Sequence, residues 1–179
     1  HLFFNASSRL YELEPSASSA YKMAKMSIAK GKSADAVRFA KKAIELEEDV
    51  NKKAKYYLGL ADAYRYKGSY SSARSAVNSA LEIRSGWGEA YINLGNIYIA
   101  GARSCGDAFE RSTVYWVAID AFKKALSDED TEKRARKGIN TYSKYFPKKE
   151  TCFFKGIEAG KSHTVGCWIN KTTIARTSD

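Results

Sequence analysis

Residues 57–80 read YLGLADAYRYKGSYSSARSAVNSA, and the spacing within this stretch decides the fold. Tyr57, Leu60 and Tyr64 lie 3 and 4 residues apart, so they share one face of a helix. Gly68 interrupts the pattern, and Ala73, Val77 and Ala80 resume it on a second helix. Working outward, Tyr57, Leu60 and Tyr64 recur 34 residues later as Tyr91, Leu94 and Tyr98. Gly31, Ala36, Ala40 and Ala43 recur 37 residues later as Gly68, Ala73, Val77 and Ala80. The second half returns 45 residues further on as Ala118, Phe122 and Ala125. A 34-residue period, with 3 extra residues in one linker and 11 in a later loop, accounts for all three intervals. Self-similarity at this period marks a helical solenoid built from two-helix units.

The pattern large-x2-Leu-small-x2-Tyr on a first helix, then Ala-x3-large-x2-Ala on a second, resembles the tetratricopeptide repeat. Tyr57-x2-Leu60-Ala61-x2-Tyr64 carries it, with Tyr91-x2-Leu94-Gly95-x2-Tyr98 and Ala118-x3-Phe122-x2-Ala125. A first unit follows the pattern with smaller residues, Ala20, Met23, Ala24 and Ser27. The resemblance implies an all-α, right-handed superhelical solenoid of helix hairpins. Residues 1–15 read as the tail of a preceding truncated repeat, with a helix over Leu2–Leu13 closed by Pro15. Three helix pairs follow over residues 16–130, with a long Gly-rich loop at 101–112 in the third, then a capping helix at 131–146.

Beyond Pro147 the period changes, and residues 147–179 read as a short helix plus a β-hairpin cap. His163, Val165, Cys167 and Ile169 alternate with period 2, and Thr172, Ile174 and Arg176 follow. With Asn170-Lys171 as a two-residue turn, Ile169 faces Thr172 and Cys167 faces Ile174. Two strands alone are marginal in water, so the hairpin is expected to cover the end of the solenoid. This tail, with Phe146-Pro147, Phe153-Phe154 and Gly166-Cys167-Trp168, resembles the ends of uncharacterised tetratricopeptide proteins of Bacteroidetes-type bacteria, a resemblance that brings no activity with it.

Composition narrows the function classes. The 179 residues are 44% hydrophobic and 28% charged, suited to one folded, soluble domain or a short repeat array. The longest uncharged run, Ala90 to Ala102, is too short for a membrane span. Lys and Arg outnumber Asp and Glu by 30 to 20, and eleven of the basic residues against five acidic ones fall between Asp130 and Asp179. The net charge of +10 favours acidic partners, permits weak nucleic-acid or membrane-surface attraction, and equally suits a solvated surface. The opening His1-Leu2-Phe3-Phe4 reads as the cut end of a longer chain. The bacterial resemblance leans towards a periplasmic or exported protein, although the segment carries no address.

No catalytic constellation is legible, so the expectation is a non-enzyme without metal or cofactor. The two histidines, His1 and His163, stand apart from any Cys or carboxylate at metal-ligand spacing. Gly156 to Ser162 imitates the end of a phosphate-binding loop without its first glycine or a βα setting. Glu45, Glu47, Glu48 and Asp49, like Asp128, Glu129 and Asp130, gather at helix linkers, where solvated charge is the default. Cys105 in the long loop and Cys167 in the hairpin belong to the same end and could pair as a disulfide; three isolated thiols are the alternative.

The expected function is a protein–protein interaction scaffold holding an extended peptide or partner protein in its concave groove. Alternatives are a basic-surface nucleic-acid binder and an accessory segment of a larger enzyme. Tyr57, Tyr64, Tyr91 and Tyr98 fall on repeat-core positions, whereas Tyr21 and Tyr66 project from first helices away from the partner helix. The family resemblance places first helices on the concave side. The groove set is then Tyr21, Lys22 and Lys25, with Ile28; Asp62, Arg65 and Tyr66, with Lys55, Leu58 and Gly59; and Glu89, Asn93 and Asn96, with Ile92 and Ile99. Asn93 and Asn96 resemble the groove asparagines with which family members hold a peptide backbone, an amide offering both a donor and an acceptor. Some family members grip a terminal carboxylate with Lys, Asn and Arg residues; Leu58, Asp62 and Glu89 occupy parts of that surface here, so the resemblance implies no such clamp, and an internal segment is the expected ligand.

Overall fold

A computed structural model describes Arg9 and residues 11–178. The helix expected over Leu2–Leu13 lies mostly outside the described residues; residues 11–13 are helical. The chain divides into two compact units, His1–Ser85 and Gly86–Asp179, which suits a short repeat array better than one undivided domain. Solenoid contacts run between sequence neighbours, so an array of repeats carries natural seams. This one falls at a turn in which Gly86 takes φ 73°.

The first unit holds two helix hairpins, α1 (Ala17–Ala29) with α2 (Ser33–Leu46) and α3 (Val50–Lys67) with α4 (Tyr70–Ile83). Ser16 and Ser19 start α1 by exchanging side-chain and backbone hydrogen bonds across its first turn. Asp49 caps α3, its carboxylate accepting from Asn51 N at 2.8 Å. The repeated glycines end the first helices: Gly31 and Gly68 adopt φ 70° and 80°, and the next N–H reaches back to Ser27 O and Tyr64 O. Only a residue free of Cβ strain takes that left-handed turn readily, which is why glycine returns at this interval. Small residues face one another inside the hairpins: Ala20 and Ala24 belong to α1, Ala36, Ala40 and Ala43 to α2, and all five are sealed from water.

The second unit pairs α5 (Gly88–Gly101) with α6 (Ala108–Lys124) and adds α7 (Glu129–Tyr142). Single 3-10 turns follow each of the three helices, at Ala102–Ser104, Ala125–Ser127 and Ser143–Tyr145. The long loop is shorter than expected, because α6 begins at Ala108 rather than near residue 113. Asp107 and Glu110 bond each other's backbone N–H at 2.8 Å and pull five more residues into the helix. Asp128 joins two helix starts, accepting from Asp130 N at 3.1 Å for α7 and from Gly88 N at 2.9 Å for α5. Trp87, placed between two glycines, is the half-buried residue just before α5.

Helix α6 buries Thr113, Val114, Trp116, Val117, Ala118, Ile119, Ala121 and Phe122, which point to every side. A helix apolar all round must be covered all round. Helices α5 and α7 take two sides, and a hairpin of β1 (Ser162–Val165) and β2 (Lys171–Ile174) docks on α6 as well. Trp116 Nε1 donates to Arg176 O at 2.7 Å, Arg176 donates back to Trp116 O at 3.1 Å, and Asp120 accepts from both Arg176 and Thr173. His163 meets Trp116 edge-on at 5.5 Å. Between Pro147 and the strands, α8 (Lys149–Phe154), the short helix expected there, buries Cys152 and ends before Gly156.

The hairpin register differs from the sequence reading. The strands pair Ser162 with Ile174 and Val165 with Lys171, which leaves residues 166–170 as the loop. Cys167, Trp168 and Ile169 are drawn out of the ladder by tertiary partners. Cys167 is bonded to Cys105, with Cα atoms 5.4 Å apart. Trp168 donates to Gly101 O at 3.2 Å and stacks on Tyr98 at 5.8 Å, while Ile169 is buried. Cys167 and Asn170 take φ 61° and 41° to make this turn.

Two expectations follow. In unreduced, denatured protein one thiol, that of Cys152, should react with an alkylating agent, and Cys167→Ser should raise the number to two. The bond closes a loop across 62 residues, so reduction should cost about 2–4 kcal/mol in a denaturant melt. Gly95→Ala would set a Cβ 2.6 Å from Phe122 Cε1 and should destabilise the protein by about 1–3 kcal/mol, read by thermal unfolding.

Candidate functional site

In the first unit, α1 and α3 are the first helices of successive hairpins, and they line a cleft of about 220 Å³. Its walls are Tyr21, Lys25 and Ile28 from α1 and Gly59, Asp62, Arg65 and Tyr66 from α3. Gly59 makes the cleft possible: a Cβ there would collide with the Tyr21 ring lying across α3. Tyr21 also packs on the buried Tyr56 ring, centroids 4.7 Å apart. Its phenol is pushed above its ordinary value, first by burial and then by the Asp62 carboxylate. Asp62 accepts from Arg65 at 3.0 Å, and the guanidinium lies over the Tyr66 ring at 4.7 Å. Lys25 Nζ stands 5.5 Å from the Tyr21 ring centre. The result is an aromatic cleft edged by two cations and one carboxylate, with Tyr66 60% exposed at its rim.

In the second unit, α5 and α7 line a cleft of about 320 Å³ over the Phe122 ring. Ile92 and Asn96 come from α5, and Arg134, Lys137, Gly138, Thr141 and Tyr142 from α7. Gly138 lets α7 sit close to Phe122, since a Cβ would stand 3.0 Å from that ring. Glu89 is paired with Arg134, whose guanidinium is pushed up chiefly by that hydrogen bond.

Of the sequence-predicted groove set, Tyr21, Lys25, Asp62, Arg65 and Tyr66 thus share one cleft, together with Ile28 and Gly59. Lys22 is exposed but does not line it. Asn93 and Asn96 part company: Asn96 is exposed in the second cleft, while Asn93 is half-buried and does not line it. Leu58, expected to face the groove, is buried at 7% exposure and lines neither cleft, whereas Ile92, equally buried, forms part of the floor of the second cleft. Tyr98 is buried as expected, but Tyr56 rather than Tyr57 fills the core of its helix, and Tyr57, Tyr64 and Tyr91 are half-buried. The α7 residues were missed, although Arg134, Lys137, Thr141 and Tyr142 have the spacing of a single helix face.

A wider hollow of about 500 Å³ beside the tail is lined by Ser143, Lys144, Phe146, Lys148, Thr177 and Ser178. It holds no sequence-predicted residue and lies on no first helix. The acidic clusters serve helix starts through Asp49 and Asp128. Among the described residues, no three His, Cys, Asp or Glu side chains are grouped to hold a metal ion. No helix among them is long and apolar enough to cross a membrane.

These paired helices, glycine turns and inter-hairpin clefts define a tetratricopeptide-type helical repeat fold. Among solved structures the chain is similar to MamA, a tetratricopeptide-like protein, with a TM-score of 0.57 over 86% of this chain and 77% of that one, at 21% identity. No family model and no curated protein matches the sequence.

Tyr21 and Tyr56 both have phenols raised chiefly by burial, so the folded state holds them neutral where the unfolded chain ionises near its ordinary pH of about 10. Their contribution to stability is fully present below that pH and is lost as pH rises through the folded values. The melting temperature should therefore fall above about pH 10, and fall less in Tyr21→Phe, as followed by circular dichroism.

Proposed function

We propose that this chain is a non-catalytic scaffold that binds an extended internal segment of a partner protein along the faces of its first helices. The observation that carries the reading is the α1–α3 cleft. There Tyr21 and Tyr66 offer apolar, flat surfaces, and Lys25, Asp62 and Arg65 offer charges of both signs. Side chains of this mixed character suit a peptide, whose backbone supplies donors and acceptors and whose side chains alternate in polarity. The second cleft repeats the theme with Asn96, Arg134 and Lys137 over Phe122. Asn93 and Glu89 flank it on α5, and Glu89 steadies Arg134. The tetratricopeptide-type fold supports a protein-interaction role in general. The likeness of the C-terminal tail to Bacteroidetes-type repeat proteins, and with it an exported setting, belongs to the same reading.

A pull-down with the whole chain, its captured protein identified by mass spectrometry, provides the ligand for the test. Lys25→Ala combined with Tyr66→Ala should weaken that capture by about tenfold or more, with the melting temperature nearly unchanged. Asn96→Ala should weaken it by a smaller factor. Undiminished capture by the Lys25/Tyr66 variant would move the site off this cleft.

A further inference from the structure

We propose that the Phe153–Phe154 pair is a membrane-surface contact, inserting two aromatic rings into an anionic bilayer. Phe153 and Phe154 are 79% and 85% exposed, more than any other described large apolar side chain. Their rings meet at 5.9 Å, making one apolar patch. The patch is not a loose end. Cys152, the preceding residue, is buried, and Ile157 N closes the turn by donating to Cys152 O at 2.9 Å. Upstream, Ser178 N donates to Pro147 O at 3.0 Å; downstream, Lys155 pairs with Asp107 at 3.6 Å and lies over the Phe109 ring. The rings are therefore held out from both sides of a six-residue helix.

The surrounding charge names the occupant. From Lys144 to Lys161 the chain carries five lysines against two glutamates, and all five lysines are exposed. Lysine is depleted in the cores of protein interfaces, where anchors fill concave pockets; here two bare rings stand in a lysine-rich segment, with Lys148 and Lys149 just before them in the chain and exposed. An anionic leaflet satisfies both features, because the rings gain an apolar layer and the lysines gain phosphate neighbours. A single weak anchor holds a protein poorly at a membrane, whereas an apolar insertion joined to a basic surface supplies two. Helix α8 is too short to lie along the interface as an amphipathic helix, so the contact is shallow and reversible.

The test is co-sedimentation of the whole chain with vesicles of phosphatidylcholine alone and of phosphatidylcholine mixed with phosphatidylglycerol. The chain should pellet with the mixed vesicles, and added salt should reduce the bound fraction. Phe153→Ser with Phe154→Ser should lower the partition coefficient by about tenfold or more while keeping every charge. Lys148→Gln with Lys149→Gln should lower it by a smaller factor. In Phe154→Trp, emission should shift to the blue on mixed vesicles relative to the wild-type background. No sedimentation with mixed vesicles, or equal sedimentation of the serine variant through net charge alone, would overturn the proposal. Emission from the Phe154→Trp variant that stays at its water-exposed position would do so even if the serine variant failed to fold.

Discussion

Close approach of paired helices through small side chains is the constraint on which the structure depends. Ala20, Ala24, Ala36, Ala40 and Ala43 in the first hairpin, and Ala54, Ala61, Ala73 and Ala80 in the second, are shut away from water. An alanine contributes little apolar area, so each contact is weak and the hairpin relies on having many of them. The compensation is geometric. Backbones that come close leave the larger side chains to the flanks, and on the first helices those flanks become clefts. Gly59 shows the link directly, because the absence of its Cβ is what lets Tyr21 lie across α3 and shape the first cleft.

The second unit solves a different problem. Helix α6 is apolar around its circumference and needs more cover than two neighbouring helices give. The tail supplies it with a hairpin of four-residue strands that would not persist alone. The hairpin is fastened by polar bonds at Trp116 and Asp120, by the Trp168 indole on Tyr98 and by the bond from Cys105 to Cys167. Asp120 and Arg176 are each largely shielded from water, so either alone would be a costly charge; together they hold the chain end against the helix. On α8, by contrast, Phe153 and Phe154 remain in water.

The residues that line the clefts were legible to the degree that one helix could place them. Tyr21, Lys25, Asp62, Arg65 and Tyr66 follow from the periods of α1 and α3, since each helix shows its partner one face and the cleft another. Asn93 is half-buried and Asn96 exposed because 3 residues on a helix span about 300°, near enough to share a face yet far enough for neighbours to cover one and not the other. Leu58 is covered for the same reason, at the border between buried and open faces.

The sequence by itself determined the helices, their pairing and the positions of the glycine turns. All three depend on residues within one or two turns of each other, where 3- and 4-residue spacing and a left-handed glycine leave little choice. It also placed a hairpin in the tail, by alternation. The strand register, the five-residue loop, the early start of α6 and the partner of each cysteine were decided by tertiary structure. Alternation is equally well satisfied by a two-residue turn, and only Tyr98, Gly101 and Cys105, more than 60 residues away in the chain, draw residues 167–169 out of the ladder. Contacts at that separation leave no mark in local spacing, because they are chosen by which surfaces remain uncovered once the helices have packed.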